Sequence, residues 1–163
     1  MKNILIISTG GTFNKIYNPL NGELEIDKSS SAIEDISNNW LTKLKIINII
    51  GKDSLDFTQK DRELLLKTIE NAKESKIVVV HGTDTIDISA NFIANSKLNK
   101  AIVFTGAMVP FSINPIEATA NLCSALGYCS NAKNGVYIAI NGIANSFNRV
   151  TKNRTLGKFE LTN

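Results

Sequence analysis

Four short runs constrain the fold of this chain more than any other feature. "ILII" (4–7), "IVVV" (77–80) and "AIVF" (101–104) are continuously apolar and rich in β-branched residues, and "VYIAI" (136–140) is similar. A strand with one face in water alternates apolar and polar residues, whereas a run without polar breaks must be covered on both faces. Helical patterns lie between the runs. Thr58 can cap a helix with Asp61 in its first turn, and Leu65, Ile69 and Ala72 then share one face. Ile86, Ala90, Ile93 and Ala94 repeat that spacing. In "NPIEATANLCSALGYC", Asn114 suits the N-cap and Pro115 the first helical position, with Leu122, Ala125, Leu126 and Cys129 as the apolar stripe. Strands alternating with helices predict an α/β fold with a doubly wound, mostly parallel sheet and helices on both faces. In such folds the loops leaving the carboxyl ends of the strands form the binding crevice.

With 163 residues, 43% of them hydrophobic, the chain can bury one sizeable core, so a single domain over 1–163 is expected. Its net charge of +3 is spread over scattered Lys and Arg, without the basic and aromatic interleaving of a nucleic-acid groove. Cys123 and Cys129, without a histidine nearby, suggest neither a disulfide framework nor a zinc site and read as reduced, buried thiols. No metal or cofactor is expected. The apolar part of "MKNILIIST" is short for a secretion signal and no run approaches membrane-spanning length, so a cytoplasmic location is expected.

Three loops carry side chains that can do chemistry. In "IISTGGTFNKIY" (6–17), Gly10 and Gly11 follow the first strand, and their N–H groups are expected to point unobstructed into the crevice. Thr12 then stands at its mouth, where its hydroxyl needs a neighbour to activate it; Lys15 and Tyr17 are the local candidates. A plain turn, or a phosphate cradle, is the alternative. In "VVVHGTDTID" (78–87), Thr83 offers a second hydroxyl, while Asp84 is either a carboxylate for a cation or only a helix N-cap. His81, the sole histidine, is read as structural. In "NGIANSFNRVTKNRT" (141–155), Lys152 is expected on a loop, either solvated or folded back to meet Thr83 and Asp84. Residues 13–27 look like a polar hairpin or flap.

Together "TGGTFNKIY", "KDSLD", "VVHGTDT", "FTGAMVP" and "RVTKNRT" occur in the order found in L-asparaginases and asparaginase/glutaminases. Over nearly its whole length the chain resembles the N-terminal catalytic domain of that family, and is most like the short-chain L-asparaginases that lack the C-terminal domain. The resemblance implies hydrolysis of L-asparagine to L-aspartate and ammonia, with Thr12 forming the acyl-enzyme and Tyr17 assisting. It implies that Thr83, Asp84 and Lys152 are an activating set, and that N–H groups near Gly11 and Thr83 form an oxyanion hole. Ser54 resembles the serine that holds the substrate α-carboxylate, and Asp84 would also bind its α-ammonium. Leu55 stands where the long enzymes usually have glutamine, and Val109 where they often have arginine. The implied partner is a small amino-acid amide, with no nucleic acid or membrane, and a homodimer or homotetramer is expected because the family's sites lie near subunit interfaces. A broader ω-amidase acting on glutamine or D-asparagine and a non-catalytic amino-acid sensor are the competing readings.

Overall fold

The computed structural model describes residues 3–40 and 42–162. Six strands form the main sheet: β1 (Ile4–Gly10), β4 (Lys45–Lys52), β5 (Lys76–Val80), β6 (Ala101–Thr105), β7 (Gly135–Ile140) and β8 (Ile143–Ser146). Two short ribbons complete the strands, β2 (Lys15–Asn18) with β3 (Glu23–Ile26), and β9 (Val150–Asn153) with β10 (Lys158–Leu161). The order across the sheet is β4-β1-β5-β6-β7-β8, parallel except for the β7–β8 pair.

Alternate residues of the apolar runs feed two cores. Ile4, Ile6, Val78, Val80 and Val103 pack on one face against helices α1 (Ser31–Asn39) and α4 (Pro115–Asn131). Leu5, Ile7, Ile77, Val79, Ile102 and Phe104 pack on the other against α2 (Gln59–Asn71) and α3 (Ile86–Ala94). This is the doubly wound sheet expected from unbroken apolar strands. The predicted caps form as well. Thr58 and Asp61 close a reciprocal capping box on α2, and Asn114 caps α4 by accepting from Ile116 N with Pro115 in its first turn.

Several local expectations are corrected. Lys152 lies in β9, not on a loop, because residues 150–153 pair antiparallel with 158–161. The N-cap of α3 is Thr85, so Asp84 is not the helix cap. Only Cys129 is buried; Cys123 is exposed on α4. Strand β4 and helix α1 were not anticipated.

The winding direction reverses at β1, which has β4 on one side and β5 on the other. The crevice of such a sheet opens at that switch point. Thr12 leaves β1 there and Thr83 leaves the adjacent β5.

Candidate active site

Thr12 begins a short 3-10 turn, Thr12–Asn14, directly after β1. Phe13, fully buried in the core under α1 and α4, anchors that turn and leaves Thr12 half-buried. The two glycines have a different purpose from the one expected. Gly10 and Gly11 have φ of 107° and 76°, and Gly11 N–H is not open to the crevice but donates to Lys52 O at 3.0 Å. A bulge in β4, with Ile50 and Gly51 both at positive φ, carries the Lys52 carbonyl to that position. A Cβ on Gly11 would come within 2.5 Å of Gly82 Cα, and one on Gly82 within 2.5 Å of Ser54 Oγ. Glycine is required because three backbones converge, bringing the Thr12, Thr83 and Ser54 loops together.

Gly11→Ala therefore forces an L side chain into left-handed backbone and against an unyielding chain. It is expected to destabilise the protein by about 3 kcal/mol or more, read from urea unfolding. Gly142→Ala is the control: its φ of 79° is similar but nothing lies within 4 Å of its Cβ position. There the cost should be only about 1–2 kcal/mol.

On the β5–α3 loop, Thr83 is 4% exposed and its Oγ1 accepts a hydrogen bond from Lys152 Nζ at 2.8 Å. The same ammonium lies 2.8 Å from Asp84 Oδ1. The two residues that sequence alone left between surface and site are thus assembled with the buried threonine. The β7–β8 hairpin, turned at Asn141 and Gly142 with φ of 48° and 79°, starts the chain back across the sheet end toward β9.

Further contacts fix this loop. Arg154 Nη2 donates to Asp84 O at 2.6 Å, and Thr85 Oγ1 donates to Ser54 O at 2.8 Å. Neither Arg154 nor Thr85 was anticipated, although "TDT" and "KNR" place each within two residues of an expected site residue. His81 is fully buried between the rings of Phe57 and Phe104, with Nδ1 2.8 Å from Gly82 O. Burial pushes its pKa down to about 4, so the ring is neutral at pH 7, and its Nε2 is buried without a hydrogen-bond partner among the described residues.

Ser54 opens the 3-10 turn Ser54–Asp56, is 1% exposed, and its Oγ has no hydrogen-bond partner among the described residues. A buried hydroxyl without a partner is costly, and Asn14 Oδ1, Arg62 Nε, His81 Nε2 and Ser89 Oγ are the other buried side-chain atoms left so among the described residues. Tyr17 is not brought to Thr12. It lies on the β2–β3 hairpin, 61% exposed, with its hydroxyl oxygen toward Gly22 at the hairpin tip. Among the described residues no group of three or more His, Cys, Asp or Glu side chains could hold a metal ion, and no helix is long and apolar enough to cross a membrane.

These features define an α/β protein whose candidate site lies at the carboxyl edge of its sheet, built from two threonine loops and a lysine. Residues 3–159 match the model of the asparaginase N-terminal domain, and the chain belongs to the asparaginase family. It is 30% identical over 169 residues to the "Probable L-asparaginase periplasmic" of Haemophilus influenzae, covering 95% of this chain and 47% of that protein. It is also 30% identical over 151 residues to a glutamyl-tRNA(Gln) amidotransferase subunit of Methanococcus maripaludis, covering 87% of this chain and 35% of that one. Its fold superposes with a TM-score of 0.82 on the structure of a probable cytoplasmic L-asparaginase from Campylobacter jejuni, at 28% identity, covering 98% of this chain and 52% of that chain. The chain thus spans about half or less of the length of these relatives.

Proposed function

We propose that this chain is an amidohydrolase that converts L-asparagine to L-aspartate and ammonia through a threonine acyl-enzyme, with no metal or organic cofactor. The observation that carries the reading is the contact of one lysine ammonium with both a buried threonine hydroxyl and a carboxylate, Lys152 with Thr83 and Asp84, each at 2.8 Å. A solvated surface lysine has no reason to be held so.

In this reading Thr12 Oγ1 adds to the side-chain amide carbon and its proton passes toward the lysine set. The C–N bond then breaks, and ammonia leaves with the proton it needs. Water adds to the resulting ester, releasing aspartate and restoring Thr12. Since the Gly11 N–H is engaged by Lys52, the oxyanion donors are the Thr12 and Thr83 N–H groups, neither of which has a backbone acceptor among the described residues. Gly11 serves by close packing. Ser54 holds the α-carboxylate, Asp84 the α-ammonium, and Tyr17 assists when the hairpin closes over the site.

Ammonia release from L-asparagine, D-asparagine and L-glutamine, measured side by side, tests the reading. Preference for L-asparagine supports it, comparable rates on all three indicate a broader ω-amidase, and aspartate binding without turnover indicates a sensor. The Methanococcus relative motivates one more alternative, an ammonia donor to a tRNA-linked amidotransferase, for which release would depend on a partner and charged tRNA. A cytoplasmic location is part of the proposal.

Self-assembly is part of the proposal, and exposed apolar side chains support it. Tyr17, Leu20, Ile113 and Ile116 are 61%, 94%, 62% and 74% exposed. Exposed apolar side chains on the hairpin, on the loop before α4 and in its first turn are what a second copy would cover, giving a homodimer or homotetramer. Specific activity should fall on dilution in step with the mass measured by light scattering. A fully active monomer would rule out the shared wall.

A further inference from the structure

A second lysine joins the loops on the other side of Thr12. Lys15 opens β2, and its ammonium lies 2.8 Å from Asp53 Oδ2, with the two side chains only 24% and 27% exposed. Asp53 is the N-cap of the Ser54–Asp56 turn and accepts from Leu55 N at 3.3 Å. From the loop between β6 and α4, Ser112 Oγ donates to Lys15 O at 2.7 Å. One residue therefore touches the serine turn through its side chain and a third loop through its backbone.

The hairpin needs such an attachment. Strands β2 and β3 pair only with each other and form a two-stranded ribbon apart from the main sheet. A ribbon of two strands is marginal in water unless something holds it. The backbone tie at its base is Asp27 N to Asn14 O at 2.8 Å. On its two faces Ile16, Tyr17 and Leu24 are 42%, 61% and 43% exposed and give little burial to hold it. The ion pair is partly shielded from solvent, and Asp53 is committed to it from a fixed capping position, which favours a defined geometry over the loose pairing of most surface ions.

We propose that Lys15 is a positioning residue, a latch that ties the hairpin to the Asp53–Ser54 turn and so holds the orphan Ser54 hydroxyl for the substrate carboxylate. This rests on the amidohydrolase reading for its substrate but not for its structural part. Loss of the latch loosens the hairpin and the serine turn together, leaving the Thr83–Asp84–Lys152 contacts untouched. Substrate binding suffers more than the chemical step, because the ordering of Ser54 is lost outright while Tyr17, already exposed and away from Thr12, reaches the site only on closure.

The test uses Lys15→Met, which keeps the stem and removes the charge, and Lys15→Arg, which restores it. Hydrogen exchange of the amides in residues 15–26 is expected to quicken by about tenfold in Lys15→Met and to return toward wild type in Lys15→Arg. In steady-state asparagine hydrolysis, KM is expected to rise by about tenfold in Lys15→Met with kcat changed less than about threefold, again recovered by arginine. Unchanged exchange overturns the latch. Faster exchange with unchanged KM, or a loss carried by kcat alone, overturns the positioning role. If the wild-type protein releases no ammonia at all, the amidohydrolase reading fails separately, and aspartate affinity by calorimetry takes the place of KM in the same comparison.

Discussion

Replacing Thr12 with alanine is expected to abolish ammonia release, by at least about 10⁴-fold, while leaving the fold and the binding of aspartate close to wild type. The fold should survive because the turn is held by other groups. Phe13 is fully buried behind Thr12, Gly11 is pinned by its hydrogen bond to Lys52, and the Thr12 side chain has no hydrogen bond of its own among the described residues. Removing an unbonded, half-buried hydroxyl and methyl should shift stability by less than about 1 kcal/mol. Binding should survive because Ser54 and Asp84 are unchanged. The structure also supplies the rival, since Thr83 and not Thr12 receives the lysine hydrogen bond. Mass mapping of acid-quenched enzyme distinguishes them. An ester on Thr12 that disappears in Thr12→Ala supports the assignment, whereas an active Thr12→Ala enzyme with an ester on Thr83 reverses the roles.

What could be read from the sequence depended on how locally each feature is encoded. Buried central strands need apolar residues on both faces, so "IVVV" and "AIVF" are recognisable without knowing their neighbours. Strand β4 is the sheet edge, with Lys45, Asn48 and Lys52 interrupting its isoleucines, and a half-covered edge carries no such signature. Helix α1 starts at Ser30 in left-handed backbone without a side-chain cap, so the usual start signal is missing. Asn141–Gly142 is a strong two-residue hairpin signal, and it is this turn that carries β7 into β8.

At the site, residue types were legible, while the meeting of Lys152 with Thr83 and Asp84 stood in the sequence only as one of two alternatives. Thr83 and Asp84 announced themselves by following a buried strand. Their meeting with Lys152 spans 69 and 68 positions and depends on how two hairpins return across the sheet end. The glycines show the limit most clearly. Sequence suggested N–H groups left open to the crevice, whereas in the fold the space beside these glycines is filled by Gly82 and Lys52 of the protein itself.

Lys152→Met is expected to lower kcat by about 10²–10⁴-fold, the range over which a positioned acid or base contributes. Methionine keeps most of the stem volume, so β9 can still pair with β10, and circular dichroism and the thermal midpoint should stay near wild type. The loss is then one of chemistry. An ammonium can only donate to Thr83 Oγ1, so to act as a base Lys152 must first release a proton to solvent, while Asp84 Oδ1 at 2.8 Å fixes its Nζ against the hydroxyl. Asp84→Asn removes the carboxylate charge that holds the lysine and should lower kcat to a similar extent, with a further rise in KM because Asp84 also meets the substrate ammonium. The two residues act as one unit in this scheme. The double variant should therefore have a kcat close to that of the worse single variant, not the product of the two losses. Multiplicative losses would mean that Lys152 and Asp84 work independently, with the lysine acting only as a fixed charge beside Thr83.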